Sequence, residues 1–89
     1  MLIKLIEVFK QSGERLHLDE IYVNGQAVVA IRPETNTSMI SEAVQLGISE
    51  TAKFSRITLN EGGMARTVTV VGSPEEVRTK LGIKNLLKG

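Results

Sequence analysis

The stretch "LIKLIEVF", Leu2–Phe9, puts apolar side chains on both sides of an extended chain. Alternate residues of a strand face opposite ways, so Ile3, Leu5 and Phe9 share one side while Ile6 and Val8 take the other. A strand with one wet face does not read this way. The segment therefore predicts a strand that is central in a sheet or covered on both faces. That demand is heavy for a chain of 89 residues. A single domain of this size buries only roughly 60–65% of its unfolded surface.

Strand and turn signals continue along the chain. "QSGE", 11–14, reads as a hairpin turn, with Gly13 free to take positive φ. "RLHL" alternates, with Leu16 and Leu18 inward and Arg15 and His17 outward. Asp19 and Glu20 then break the pattern as a turn. Asn24-Gly25 is the strongest short hairpin signal present. "AVVAIR" follows as a strand that ends at Pro33, which has no N–H to donate. Residues 33–53 read as an insertion. A polar loop, "PETNT", leads into a short helix capped by Ser38, with Met39, Ala43 and Leu46 on one stripe, Ile40 and Val44 beside it, and Gly47 at its end. "FSRITLN" returns to strand, with Ser55, Ile57 and Leu59 on one face. "NEGG" turns the chain into the β-branched run "ARTVTVVG".

"VVGSPEEVR", 71–79, raises the one question of site chemistry. A strand that turns through glycine into a helix N-terminus is a common way to hold phosphate. Here Ser73, Pro74 and Glu76 also spell a capping box, with proline at the first helical position. Glu75 and Glu76 already supply the negative charge that the helix dipole favours, and the first nearby cation is Arg78. The cap reading is preferred. The helix runs to about Leu81, with Gly82 at its end and Ile83 placed to pack back against it.

Composition excludes more than it assigns. With no cysteine, disulfides, zinc ribbons and thiol chemistry are ruled out. His17, the one histidine, shares a strand face with Asp19, yet it has no second histidine to complete a metal set. None of the serines sits in a nucleophile elbow, and the chain has neither a Walker lysine motif nor a dinucleotide fingerprint. The reading is of a non-enzyme with no catalytic residue, cofactor or metal. Lys4, Glu7 and Lys10 interrupt the apolar N-terminal run, so it is not a signal-peptide core, and no stretch is long enough to span a membrane. The expectation is a cytoplasmic protein that does not engage a membrane.

Two kinds of partner compete. A net charge of +1 does not announce a nucleic-acid binder. Basic residues do cluster locally: Lys53, Arg56 and Arg66 around the last hairpin, with Arg56 and Arg66 as prospective cross-strand neighbours, then Arg78, Lys80, Lys84 and Lys88 near the end. Only Phe9, Tyr22 and Phe54 are aromatic, too few for a stacking platform. The apolar surplus favours protein instead. One small core has difficulty absorbing both the two-faced first segment, with Val8, and the tail residues Ile83, Leu86 and Leu87. Either the two cover each other or a homodimer buries them, and a further protein partner stays open.

Leu18, Asp19 and Ile21, then Ile57, Leu59 and Gly63, then Val70 and Glu76–Val77 give an order that resembles the small FlbD-type proteins of bacterial flagellar operons. Those are β-meanders followed by a "Val…Glu-Glu-Val" helix, and residues 33–53 have no counterpart in them. The resemblance implies a small β-rich bacterial or bacteriophage accessory module that works by contact. Together the readings predict a single α+β domain over 1–89. Its sheet is antiparallel, of about five strands, bent or closed into a partly open barrel, with one short inserted helix and one C-terminal helix.

Overall fold

The computed structural model describes residues 2–10, 16–48 and 51–82. These form strands β1 (Leu2–Lys10), β2 (Leu16–Asn24), β3 (Val28–Pro33), β4 (Phe54–Glu61) and β5 (Met64–Val71), with helix α1 (Thr37–Gln45) between β3 and β4 and helix α2 (Pro74–Leu81) after β5. The strands lie in the order β2, β1, β5, β4, β3, every neighbouring pair antiparallel. The sheet is open, with β2 and β3 as its two edges. The predicted turn at 11–14 lies outside the described residues.

β1 is covered on both faces, as its two-sided pattern requires, although it stands second in the sheet and not at the centre. On one face Leu5 joins Val23, Ile57, Leu59, Val68, Val70 and, from α2, Val77 and Leu81. On the other, Val8 joins Leu16, Phe54 and, from α1, Ala43, with Leu18, Met39 and Ile40 packed around them. Each helix thus covers one side of the sheet, and the chain has two small cores in place of one.

The β4–β5 hairpin forms where "NEGG" predicts it. Glu61 pairs with Met64, and Gly62 and Gly63 take φ of +59° and +87°. Positive φ at both central positions is what the tight hairpin turn matching strand twist demands, and glycine meets it without steric cost.

Four expectations are corrected. Asp19 and Glu20 do not turn the chain: β2 runs through them unbroken, paired residue for residue with β1. Asn24-Gly25 does not close a hairpin. β2 and β3 lie at opposite edges of the sheet, and Gly25–Ala27 is a short 3₁₀ turn whose first residue but one is capped by the Asn24 side chain, which accepts from the Gln26 N–H at 3.0 Å. Asparagine supports either geometry through the same local hydrogen bond, so the competition for β1 and β4 as partners decides. Finally, α1 is capped by Asn36, whose side chain accepts from the Met39 N–H at 3.1 Å, not by Ser38, and Leu46 leaves the apolar stripe to stand 51% exposed.

Candidate interaction surfaces

The junction between β5 and α2 has its polar groups satisfied from within. The Ser73 hydroxyl accepts from the Glu76 N–H at 3.2 Å, and the Glu76 carboxylate accepts from the Ser73 N–H at 3.0 Å. Those hydrogen bonds, the backbone one foremost, hold the Glu76 carboxyl below the usual carboxylate range. Gly72 is clamped as well. Its N–H donates to the Lys53 carbonyl at 2.7 Å and its own carbonyl accepts from the Ser55 hydroxyl at 2.7 Å, which explains a fully buried serine. Gly72 has φ of +125°, and an added Cβ would lie 3.2 Å from Val77, so glycine is needed there for both reasons. The capping box is a helix start whose Ser73, Glu76 and Val77 N–H groups are engaged.

The basic residues do not share a face. Paired residues of an antiparallel ladder point the same way. Arg56 stands opposite Thr69, on the α1 side, while Arg66 stands opposite buried Leu59, on the α2 side. They are not cross-strand neighbours, because counting back from the Glu61–Met64 turn pairs Arg66 with Leu59. Arg56 lies 3.6 Å from Glu34, Arg66 3.4 Å from Glu61 and Arg78 2.8 Å from Glu75. The last contact raises the Arg78 pKa further. Lys53 is exposed just before β4, and Lys80 is exposed on α2. Lys84 and Lys88 lie outside the described residues, as do Ile83, Leu86 and Leu87. Val8 is buried in the α1 core, so its surface is used within the chain. His17 stacks on Phe9, ring centroids 5.8 Å apart, and Asp19 accepts from the Glu20 N–H. Among the described residues no three His, Cys, Asp or Glu side chains gather to hold a metal.

Two features of the α1-side face arise only from the register of the strands. α1 covers only part of that face, over Val8, Leu16 and Phe54. On β1 and β2 it leaves Leu2 and Tyr22 open, 61% and 58% exposed. Leu2 pairs with Asn24 and Lys4 with Tyr22, so Leu2 and Tyr22 are diagonal neighbours on one face. Beside them Lys4 and Glu20 meet at 3.3 Å, both half exposed. On β3 and β4, Arg32 stands directly opposite Arg56. Alternation sets the side that each residue faces: Tyr22 sits between inward Ile21 and Val23, and Arg32 follows inward Ile31. No helix among the described residues is long and apolar enough to cross a membrane. No protein-family model, no curated protein and no solved structure matches the chain.

Proposed function

We propose that this protein is a small non-enzymatic accessory protein, a protein-interaction module that pairs with a second copy of itself through the open Leu2–Tyr22 area. The observation that supports this reading is the make-up of that area. A leucine and a tyrosine lie side by side, each more than half exposed, flanked by one cation and one anion. Exposed aromatic and aliphatic side chains grouped in this way are typical anchors of contact surfaces. Lys4 and Glu20 make the area self-complementary: a twofold axis through it sets each Lys4 against the other copy's Glu20. A net charge of +1 opposes association little. The edges serve the opposite purpose. Exposed Asp19 and Glu20 along β2, and the register shift and terminal Pro33 of β3, discourage edge-to-edge pairing. The resemblance to FlbD-type proteins points the same way, to a β-rich module that works by contact.

Light scattering on size-exclusion eluates tests the reading. The expected result is a dimer at micromolar concentration, shifted to monomer by Tyr22→Asp with the thermal melt preserved. Lys4→Glu weakens the dimer, and adding Glu20→Lys in the same chain restores it. Leu87→Asp is the parallel arm for the tail: monomer from that variant and not from Tyr22→Asp moves the contact to the tail. A wild type that stays monomeric at roughly 100 µM, well above the range where specific dimers assemble, defeats self-association altogether.

A further inference from the structure

Arg32 and Arg56 stand directly opposite each other on adjacent strands and on the same sheet face. Like charges in that relation repel and destabilise the pair. Both side chains are exposed, and among the described residues no acid pairs with Arg32. Solvated arginines on an edge strand are common, and that alone would explain Arg32. It does not explain how Arg56 is held. Glu34 lies against the Nε edge of Arg56 at 3.6 Å, and the Glu34 side chain is only 12% exposed whereas that of Arg56 is 56% exposed. Glu34 is itself fixed. One carboxylate oxygen accepts from the Asn36 N–H at 3.0 Å, and the other lies 3.4 Å from the Thr69 hydroxyl that donates to it. Its backbone N–H donates to the Phe54 carbonyl at 2.9 Å, which anchors the chain just past β3.

At 3.6 Å Glu34 is an ion-pair partner on the Nε side of Arg56, which biases the guanidinium and leaves its terminal nitrogens as a fork for a second oxyanion. The neighbouring pair on the same face, Thr58 opposite Thr67, adds hydroxyl donors, and Ala30 opposite Thr58 keeps the floor low. Two facing arginines suit a doubly charged tetrahedral group better than a carboxylate, which one fork already satisfies. We propose that Arg32 and Arg56 form an oxyanion site for a phosphoryl group on this open sheet face, with Glu34 as the positioning residue of Arg56. The site lies on β3 and β4, apart from the Leu2–Tyr22 area, and does not depend on self-association.

Amide NMR titration with sodium phosphate, against sodium chloride at equal ionic strength, tests it. Saturable shifts confined to residues around 30–34, 56–58 and 67–69 are expected. Arg32→Gln and Arg56→Gln, both on exposed positions, each raise the apparent dissociation constant roughly tenfold, the scale of one charge-assisted contact. Glu34→Gln is the discriminating variant. Simple charge counting has it strengthen binding by removing an anion, whereas a positioning role has it weaken binding. A single-stranded oligonucleotide that binds more tightly than phosphate, and loses that binding in both arginine variants, identifies the phosphoryl source as a phosphodiester; binding of phosphate alone identifies a small ligand. Shifts that match those in chloride, or saturable shifts that survive both arginine variants, overturn the site. Tighter binding by Glu34→Gln overturns the role of Glu34.

Discussion

The two faces of the sheet are covered by helices of almost equal length, eight residues in α2 and nine in α1, under different conditions. α2 follows β5 after a two-residue junction, carries a complete capping box, and seals a cluster of eight buried residues drawn from β1, β2, β4 and β5 as well as itself. α1 is spliced between two strands that pair with each other, starts from a single asparagine cap, and closes a cluster of four buried residues. The larger core therefore lies on the α2 side. The α1 side is a smaller core whose helix leaves sheet surface open, and both proposed contact areas lie there. A face that is only partly covered is where a small domain has surface to offer, because its stability rests on the other face.

The largest test of this contrast is core truncation. Ile57→Ala, at a fully buried position on the α2 side, is expected to cost about 2–5 kcal/mol. A chain of this length has on the order of 4–13 kcal/mol in total, so the variant approaches unfolding. Met39→Ala, half-buried in the α1 cluster, is expected to cost clearly less. Urea denaturation of both variants checks the order, and equal losses would mean that the two cores contribute alike.

The helix caps give a smaller and sharper comparison. Ser73→Ala and Asn36→Ala each remove a side-chain acceptor worth roughly 0.5–2 kcal/mol. The expected difference lies in where the loss appears. Ser73→Ala lowers the global melting temperature, because α2 is part of the main core. Asn36→Ala speeds amide hydrogen exchange within α1 while the β4–β5 amides keep their protection. Exchange measured on both variants separates local from global opening, and matching exchange profiles would end the distinction.

The smallest effect is a pH dependence confined to the α2 side. Glu76 has its folded pKa lowered by hydrogen bonds from Ser73. The stability it contributes is present above the unfolded carboxylate pKa and is lost as pH falls through the lowered folded value. Glu76→Gln should therefore lower stability at neutral pH, where the ionised carboxylate contributes, and converge on wild type in acid, so that the acid limb flattens. Thermal melts across the acid range read this directly, and an acid limb as steep as in wild type would place the pH dependence elsewhere.

Features written in a few neighbouring residues were legible in the sequence. The capping box of Ser73 and Glu76, the double-glycine turn at Gly62-Gly63, the inward face of Ser55, Ile57 and Leu59, and the two-faced pattern of Leu2–Phe9 all appear where read. Each depends on local hydrogen bonds, backbone sterics or strand alternation, which travel with the residues themselves. Tertiary structure decided what those rules leave equal. Asn24 makes the same Asx-type bond in a hairpin or in a turn that carries the chain to the far edge of the sheet, and only the partners available to β2 and β3 choose between them. Asp19 and Glu20 look like a turn by composition, yet nine paired positions with β1 hold them extended at an edge where charge is tolerated. Asn36 and Ser38 could each cap α1, and the entry path set by Glu34 selects Asn36. The meeting of Arg32 with Arg56, and of Leu2 with Tyr22, depends on register between strands distant in sequence. Register comes from burial of whole faces against one another, which no single stretch of sequence carries.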